Sequence, residues 1–410
     1  MQQHQPTEIF TLPDGLRIVC LRKQSKVDYF GVTINSGSRD EQPGFYGLAH
    51  FVEHTIFKGT THRRASHIIN RMEAVGGELN AFTSKEETTV YSVSPHGNLS
   101  RAVELISDLL RNSVFPEKEL EKEREVVREE IDSYLDTPSE AVFDEFENLF
   151  FNGSQLGHNI LGESETLSRF TSDVCRRYIT TSYTPNRMVA FYSGMMPPQR
   201  VADVIARRFG DMATAGGMAP TRIAPKPVAG FNTRRDLGTH QAHCVMGAAV
   251  PGIHSDERIA LGLLTNILGG PGMNSRLNVA LRERRGLVYT VDANLNMMSD
   301  CGLFSIYFGC DPSDAGRCAE LVKKELDKIT KSPLTERVLA AAKQQYLGQL
   351  VVATDNCEQM ALSAARATLF FGKVHSPSET RDRIMSLTPD DILHAARHLY
   401  PSLFSTLTLG

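Results

Sequence analysis

The chain has 410 residues, 41% of them hydrophobic and 22% charged, with a formal net charge of −4. That length suits two domains of about 200 residues each, and the composition is that of a globular protein able to bury a core. The acidic balance excludes a charge-driven nucleic-acid or anionic-membrane partner, and no apolar run approaches the roughly 18 residues of a membrane span.

Taken in order, the chain opens with MQQHQPTEIFTLPDGL. No basic segment precedes an apolar run there, so no secretory signal is expected and a cytoplasmic setting is. Pro13-Asp14-Gly15 marks a turn, and strands are predicted over residues 16–21 and 30–34. Residues 36–44 lead into a helix over 47–58, with Gly59 placed to end it. A second helix, 66–75, stops at Gly76-Gly77. Strands follow over 78–83 and 88–94, then a helix over 99–110. Pro116 starts a long helix that Pro138 terminates. The seven cysteines are scattered and form no CxxC pair. That usage fits thiols in a reducing compartment and argues against a cysteine zinc site.

The composition shifts over residues 209–230, where GDMATAGGMAPTRIAPKPVAG lacks helix or strand periodicity. This stretch reads as an interdomain linker dividing residues 1–215 from 216–410. The second half repeats the first. The segment from Asn80 and the segment from Asp292 both run strand, turn, strand, turn, helix, and the segment from Val32 aligns with that from Val245. The predicted class is α+β: two similar domains, each a mostly antiparallel sheet packed with helices.

The first helix reads GLAHFVEHTIFKG. His50 and His54 are four apart and stack on one face, a two-nitrogen clamp of the kind zinc accepts. Glu53 borders that face and can reach a metal-held water without being a ligand. The helix is apolar almost all round, so it is predicted to be buried. Two imidazoles and a carboxylate are costly there unless satisfied. A metal ion would satisfy them, and so would hydrogen bonds within a core; the helix by itself leaves both open.

A hydrolytic zinc takes three protein ligands and a water. The long helix offers an excess of carboxylates around an apolar stripe of Leu120, Val127, Ile131 and Tyr134. Glu129 falls roughly 180° from that stripe, on the solvent side. Glu123 and Glu130 flank it along one edge. Glu130 is therefore the better third ligand, and Glu123, two turns earlier, is placed to steady one. The chemistry this predicts is metal-assisted hydrolysis, with zinc lowering the pKa of a water toward about 7 and Glu53 as general base.

With these motifs in view, the sequence resembles the pitrilysin/insulinase family, in its short branch that includes mitochondrial processing peptidase and bacterial relatives. The resemblance rests on His50-x-x-Glu53-His54, on Glu123 and Glu130 downstream, and on GGELNAFTSKEETTVYS from Gly76. It implies a zinc endopeptidase acting on extended or unstructured peptides, with one zinc per chain held by His50, His54 and Glu130. It also implies that LRERRGLVYTV carries an Arg/Tyr pair, Arg282 and Tyr289, whose groups hydrogen-bond the substrate backbone or a tetrahedral oxyanion. It implies further that Asn80, Ala81 and Phe82 lie on an edge strand that pairs with substrate. Long family members join two such chains, so a chain of this length is expected to form half of a clam-shell chamber and to complete it as a homodimer, with Arg282 and Tyr289 serving the partner's zinc.

Other features carry less. The second half has no histidine pair in the helix over 261–268 that repeats the zinc helix. The loop LGGPGMNSRL, with Gly269 to Gly272, lacks the strand and Lys-Ser/Thr of a phosphate cradle; it reads either as a loop that helps admit substrate or as a simple turn. His394 and His398 form an HxxxH pair with no third ligand evident, and His240 and His243 sit near a strand start. No serine has a GxSxG context. The alternative function is a non-catalytic or partner-dependent subunit of a processing-peptidase-like complex, which the intact zinc motif disfavours.

Overall fold

The computed structural model describes residues 7–212 and 220–410, so the expected boundary at 215/216 lies outside the described residues. In chain order, the elements of the first half are β1 (Glu8–Thr11), β2 (Arg17–Arg22), β3 (Val27–Ile34), α1 (Leu48–Thr55), α2 (Ala65–Glu73), β4 (Glu78–Thr83), β5 (Thr88–Pro95), α3 (Leu99–Asn112), α4 (Glu117–Leu135), α5 (Pro138–Phe150), α6 (Ser172–Ser182), β6 (Met188–Gly194) and α7 (Pro198–Phe209). Then come β7 (Asn232–Arg235), β8 (Ala242–Val250), α8 (Arg258–Gly269), β9 (Val288–Met297), β10 (Gly302–Cys310), α9 (Ala315–Lys331), α10 (Glu336–Ala353), α11 (Cys357–Phe371), α12 (Pro377–Ser386), α13 (Pro389–Ala396) and β11 (Ser405–Leu409). No helix among the described residues is long and apolar enough to cross a membrane.

The chain divides by packing into two units that interleave in sequence. The first holds residues up to Ile131, Asn159–Arg222 and Ala353–Ser376; the second holds Asp132–His158, Ile223–Val352 and Pro377–Gly410. Each unit is built on a mostly antiparallel sheet, as the α+β class requires.

The first unit's sheet runs β1-β2-β6-β3-β5-β4. Only β2 and β6 pair in parallel. β3 and β5 are buried along most of their length, whereas β4 is partly exposed throughout and forms the sheet edge. One face packs against α1, α3 and α7 through Phe30, Val32, Phe51, Ile106 and Ile205. The other face is closed by α11, whose Ala361, Ala364 and Ala365 let it lie close over Val19 and Phe191.

The second unit repeats this plan with the sheet β7-β11-β8-β10-β9, where β9 is an edge. α8, α9 and α13 cover one face around Phe304, Ile306 and Phe308. α5 covers the other through Phe146 and Phe150 against Val245 and Leu407. A Cβ at Gly247 would lie 2.7 Å from the Phe146 ring, so glycine on β8 is what admits that ring. Each sheet is thus closed by a helix from the opposite half of the sequence. Burying both faces removes two apolar surfaces from water, worth roughly 25 cal/mol per Å2 of apolar area.

Candidate metal centre

α1 positions the site because the helix itself is pinned. Leu48, Ala49, Phe51 and Val52 are buried in the first unit's core. Gly47 enters the helix at φ +94°, and a Cβ there would lie 2.6 Å from the Leu161 carbonyl oxygen. The buried Glu41 carboxylate caps the N-terminus, accepting from Gly47 N at 2.9 Å and Ala49 N at 2.6 Å. That satisfies two orphan donors and places a negative charge at the positive end of the helix. The expected three-turn helix proves to be two α turns followed by a 3-10 turn, Ile56–Lys58, ending at Gly59.

On this helix the two imidazoles stand edge to face, ring centroids 4.4 Å apart. α4 passes beside them with Leu120, Val127 and Ile131 buried. Its Glu130 Oε2 lies 3.4 Å from His54 Nε2 and 3.8 Å from His50 Nε2. The ligand atoms of His50, His54 and Glu130 all fall within 4.8 Å of one another, and no other such group of His, Cys, Asp or Glu is found among the described residues. Two atoms each about 2.1 Å from one tetrahedral ion stand about 3.4 Å apart. The observed spacing therefore fits a shared divalent ion.

The two imidazoles differ in their protonation chemistry. Burial, and then the neighbouring His54, pushes the His50 pKa down to about 3, so its imidazole is neutral. Among the described residues, His50 Nδ1 is buried with no hydrogen-bond partner, which is costly for a polar atom. For His54, burial acts to lower the pKa. The Glu123 hydrogen bond and the charges of Glu130, Glu53 and Glu123 outweigh it and raise the pKa overall.

Glu123 corrects one sequence expectation. It does not flank the buried stripe of α4 but belongs to it, at 7% exposure. Its Oε1 meets His54 Nδ1 at 3.1 Å and its Oε2 meets Lys58 Nζ at 2.6 Å. A carboxylate on Nδ1 leaves the Nε2 lone pair for an ion. Lys58, one helical turn beyond His54, is the partner that sequence reasoning missed; its i, i+4 spacing was the available signal. Burial works against the Glu123 charge, but His54 and Lys58 hold its pKa below the ordinary carboxylate value.

Glu53 is beside the ligands but not among them. Thr83 Oγ1, at the end of β4, donates to Glu53 Oε2 at 2.7 Å. Burial raises the Glu53 pKa, with Glu130 adding to it and Thr83 and His54 opposing it.

The other sequence candidates separate cleanly. Asn80, Ala81 and Phe82 do lie on an edge strand, since among the described residues β4 pairs only with β5. Arg282 lies on a π-helical turn, Asn278–Glu283, of the second unit, and Tyr289 is the second residue of β9. The β9–β10 register slips between Gly309 and Cys310, which pair with Thr290 and Val288. Tyr289 sits at that bulge, a device that re-aims a side chain, and is 64% exposed. His394 and His398 do find a carboxylate, contrary to expectation: Glu257 approaches them at 3.7 Å and 3.1 Å. Their ligand atoms do not converge as those of the first unit do. His243 is engaged by Tyr307 Oη at 2.8 Å. The glycine-rich loop after α8 is tied to α10 by reciprocal Asn274–Gln345 bonds at 2.9 and 3.1 Å.

Comparison with known proteins extends the site to a family. A model of the insulinase family (peptidase family M16) matches residues 17–164, which include His50, Glu53, His54, Glu123 and Glu130. A model of the peptidase M16 inactive domain matches residues 169–346, which include Arg282 and Tyr289. A Streptomyces coelicolor protein named "uncharacterized zinc protease" is 35% identical over 94% of this chain and 86% of its own. A Bacillus subtilis protein with the same description is 31% identical over 95% of each chain. The crystal structure of a protease from Helicobacter pylori shares the fold with a TM-score of 0.91 at 21% identity, covering 98% of this chain and 99% of that one. The chain belongs to the insulinase family, peptidase family M16.

Proposed function

We propose that this chain is a zinc-dependent endopeptidase that hydrolyses peptide bonds in extended or unstructured peptides. The observation that carries the reading is the convergence of His50, His54 and Glu130 within 4.8 Å, with Glu53 alongside. Relatives named as zinc proteases support the choice of metal. When bound, zinc supplies Lewis acidity, lowering the pKa of a water and polarising a carbonyl.

The chain's own residues do the rest. His50, His54 and Glu130 hold the ion, and Glu123 orients His54. Glu53 takes a proton from the attacking water and gives it to the leaving amine. The outer edge of β4, at Asn80, Ala81 and Phe82, pairs with the substrate backbone and makes little demand on its sequence. Purified chain should cleave an unstructured peptide, lose that activity to a chelator, and regain it with added zinc. Cleavage indifferent to chelation would remove the metal from the reaction.

Arg282 and Tyr289 are assigned to substrate or oxyanion binding, serving a partner copy's zinc in a homodimer. The support is the exposed Tyr289 at its bulge. Mixing His50→Ala chains with Tyr289→Phe chains should then restore cleavage through hybrid dimers. No recovery despite proven subunit exchange would count against action in trans.

A further inference from the structure

A general base works only when one carboxylate oxygen is held toward the proton it takes, and the position of that oxygen must be fixed by something other than the metal. The Thr83 hydroxyl makes the one hydrogen bond to the Glu53 carboxylate among the described residues, at 2.7 Å. We propose that Thr83 is a positioning residue for Glu53: its hydroxyl fixes Oε2 and leaves Oε1 to take the proton. The proposal rests on the peptidase reading given above.

The strand that carries Thr83 explains why it can do this. Side chains alternate along β4. Leu79 and Ala81 pack against the core beneath α1, whereas Phe82 packs on the opposite face. Thr83, two residues beyond Ala81, shares the α1 face. The backbone edge of the same strand is the one proposed to receive substrate. One rigid element would therefore set both the base and the peptide it acts on, the condition for a large effective concentration.

The end of β4 is also unusually well fixed. Thr83 pairs with Thr88 at the last rung of the hairpin. The turn beyond is closed by Ser84 N donating to Glu87 O at 2.8 Å. A neighbouring loop grips it: Ser38 N donates to Ser84 O at 3.1 Å and Arg39 N to Lys85 O at 2.8 Å. A Cβ at Gly37 would lie 2.3 Å from Ser84 O, so only glycine allows that approach. Buried charges complete the clamp. Arg39 meets Glu86 at 2.7 Å, and Arg222 makes a two-pronged pair with Asp40 at 2.9 and 2.8 Å. Paired guanidinium and carboxylate groups with this geometry resist rearrangement, because breaking one strands a buried charge.

Two variants separate positioning from structure. Thr83→Val keeps the branched shape and strand preference but removes the donor; Thr83→Ser keeps the donor. The valine variant should lose about 10- to 100-fold in kcat, the usual scale for an orienting partner, with KM within about twofold of wild type. The serine variant should keep most of the wild-type kcat. All three proteins should bind the same amount of zinc and melt at the same temperature. An inactive wild type would sink the peptidase reading, and this proposal with it. An active wild type with a fully active Thr83→Val would overturn the positioning role alone. Equal losses in the valine and serine variants, or a loss of zinc or melting temperature in Thr83→Val, would likewise overturn it.

Discussion

Glu53→Gln should lower kcat by about 10²- to 10⁴-fold, the usual contribution of a general base, while leaving zinc content and KM close to wild type. The amide keeps the size and shape of the carboxylate and still accepts from Thr83, so the helix and the ligands have no reason to move. What it cannot do is take a proton. Glu53 is suited to that task because burial raises its pKa, with only partial opposition from Thr83 and His54. A carboxylate with greater proton affinity is the better base. Single-turnover cleavage of an unstructured peptide measures the effect directly, and full cleavage by the variant would remove Glu53 from the reaction.

A second large effect separates two adjacent residues. Glu130→Gln should strip zinc from the site and abolish cleavage, whereas Glu129→Gln should change neither. Glu130 Oε2 stands 3.4 Å and 3.8 Å from the two imidazole nitrogens; among the described residues, Glu129 belongs to no such ligand group. If roughly 10–16 kcal/mol of zinc binding is spread over four ligands, each supplies roughly 2.5–4 kcal/mol, or roughly 10²- to 10³-fold in affinity. Removing the single anionic ligand should cost at least that much, because both histidines are neutral donors when they bind. Competition against a chromogenic chelator reads the affinity of both variants. Equal affinities would mean that α4 supplies no ligand.

Much of this was legible in the sequence, for identifiable reasons. β4 was placed at its observed bounds, Glu78–Thr83, because Gly76-Gly77 and the Ser84–Glu87 turn fence a short alternating run. The choice of Glu130 over Glu129 followed from helical angle alone, and that spacing survives in the structure. Charge at a buried position was harder to read. Helical angle put Glu123, with Glu130, at the edge of the apolar stripe of α4, and its pairs with Lys58 and His54 make its burial tolerable. The sequence also could not say which core each helix joins. α5 and α11 have apolar faces that any sheet would accept; their packing on the sheet of the other half depends on the fit of Phe146 over Gly247 and of three alanines over Val19. Nor could it show the bulge at Tyr289, because a one-residue slip depends on pairing with β10 rather than on local pattern.

Zinc stoichiometry by elemental analysis of the purified chain, run beside a His50→Ala/His54→Ala variant, tests the coordination sphere most directly. Wild type should carry one zinc per chain and the double variant none, with both folded. A folded wild type that holds no zinc when it is supplied, or a double variant that holds just as much, would contradict it.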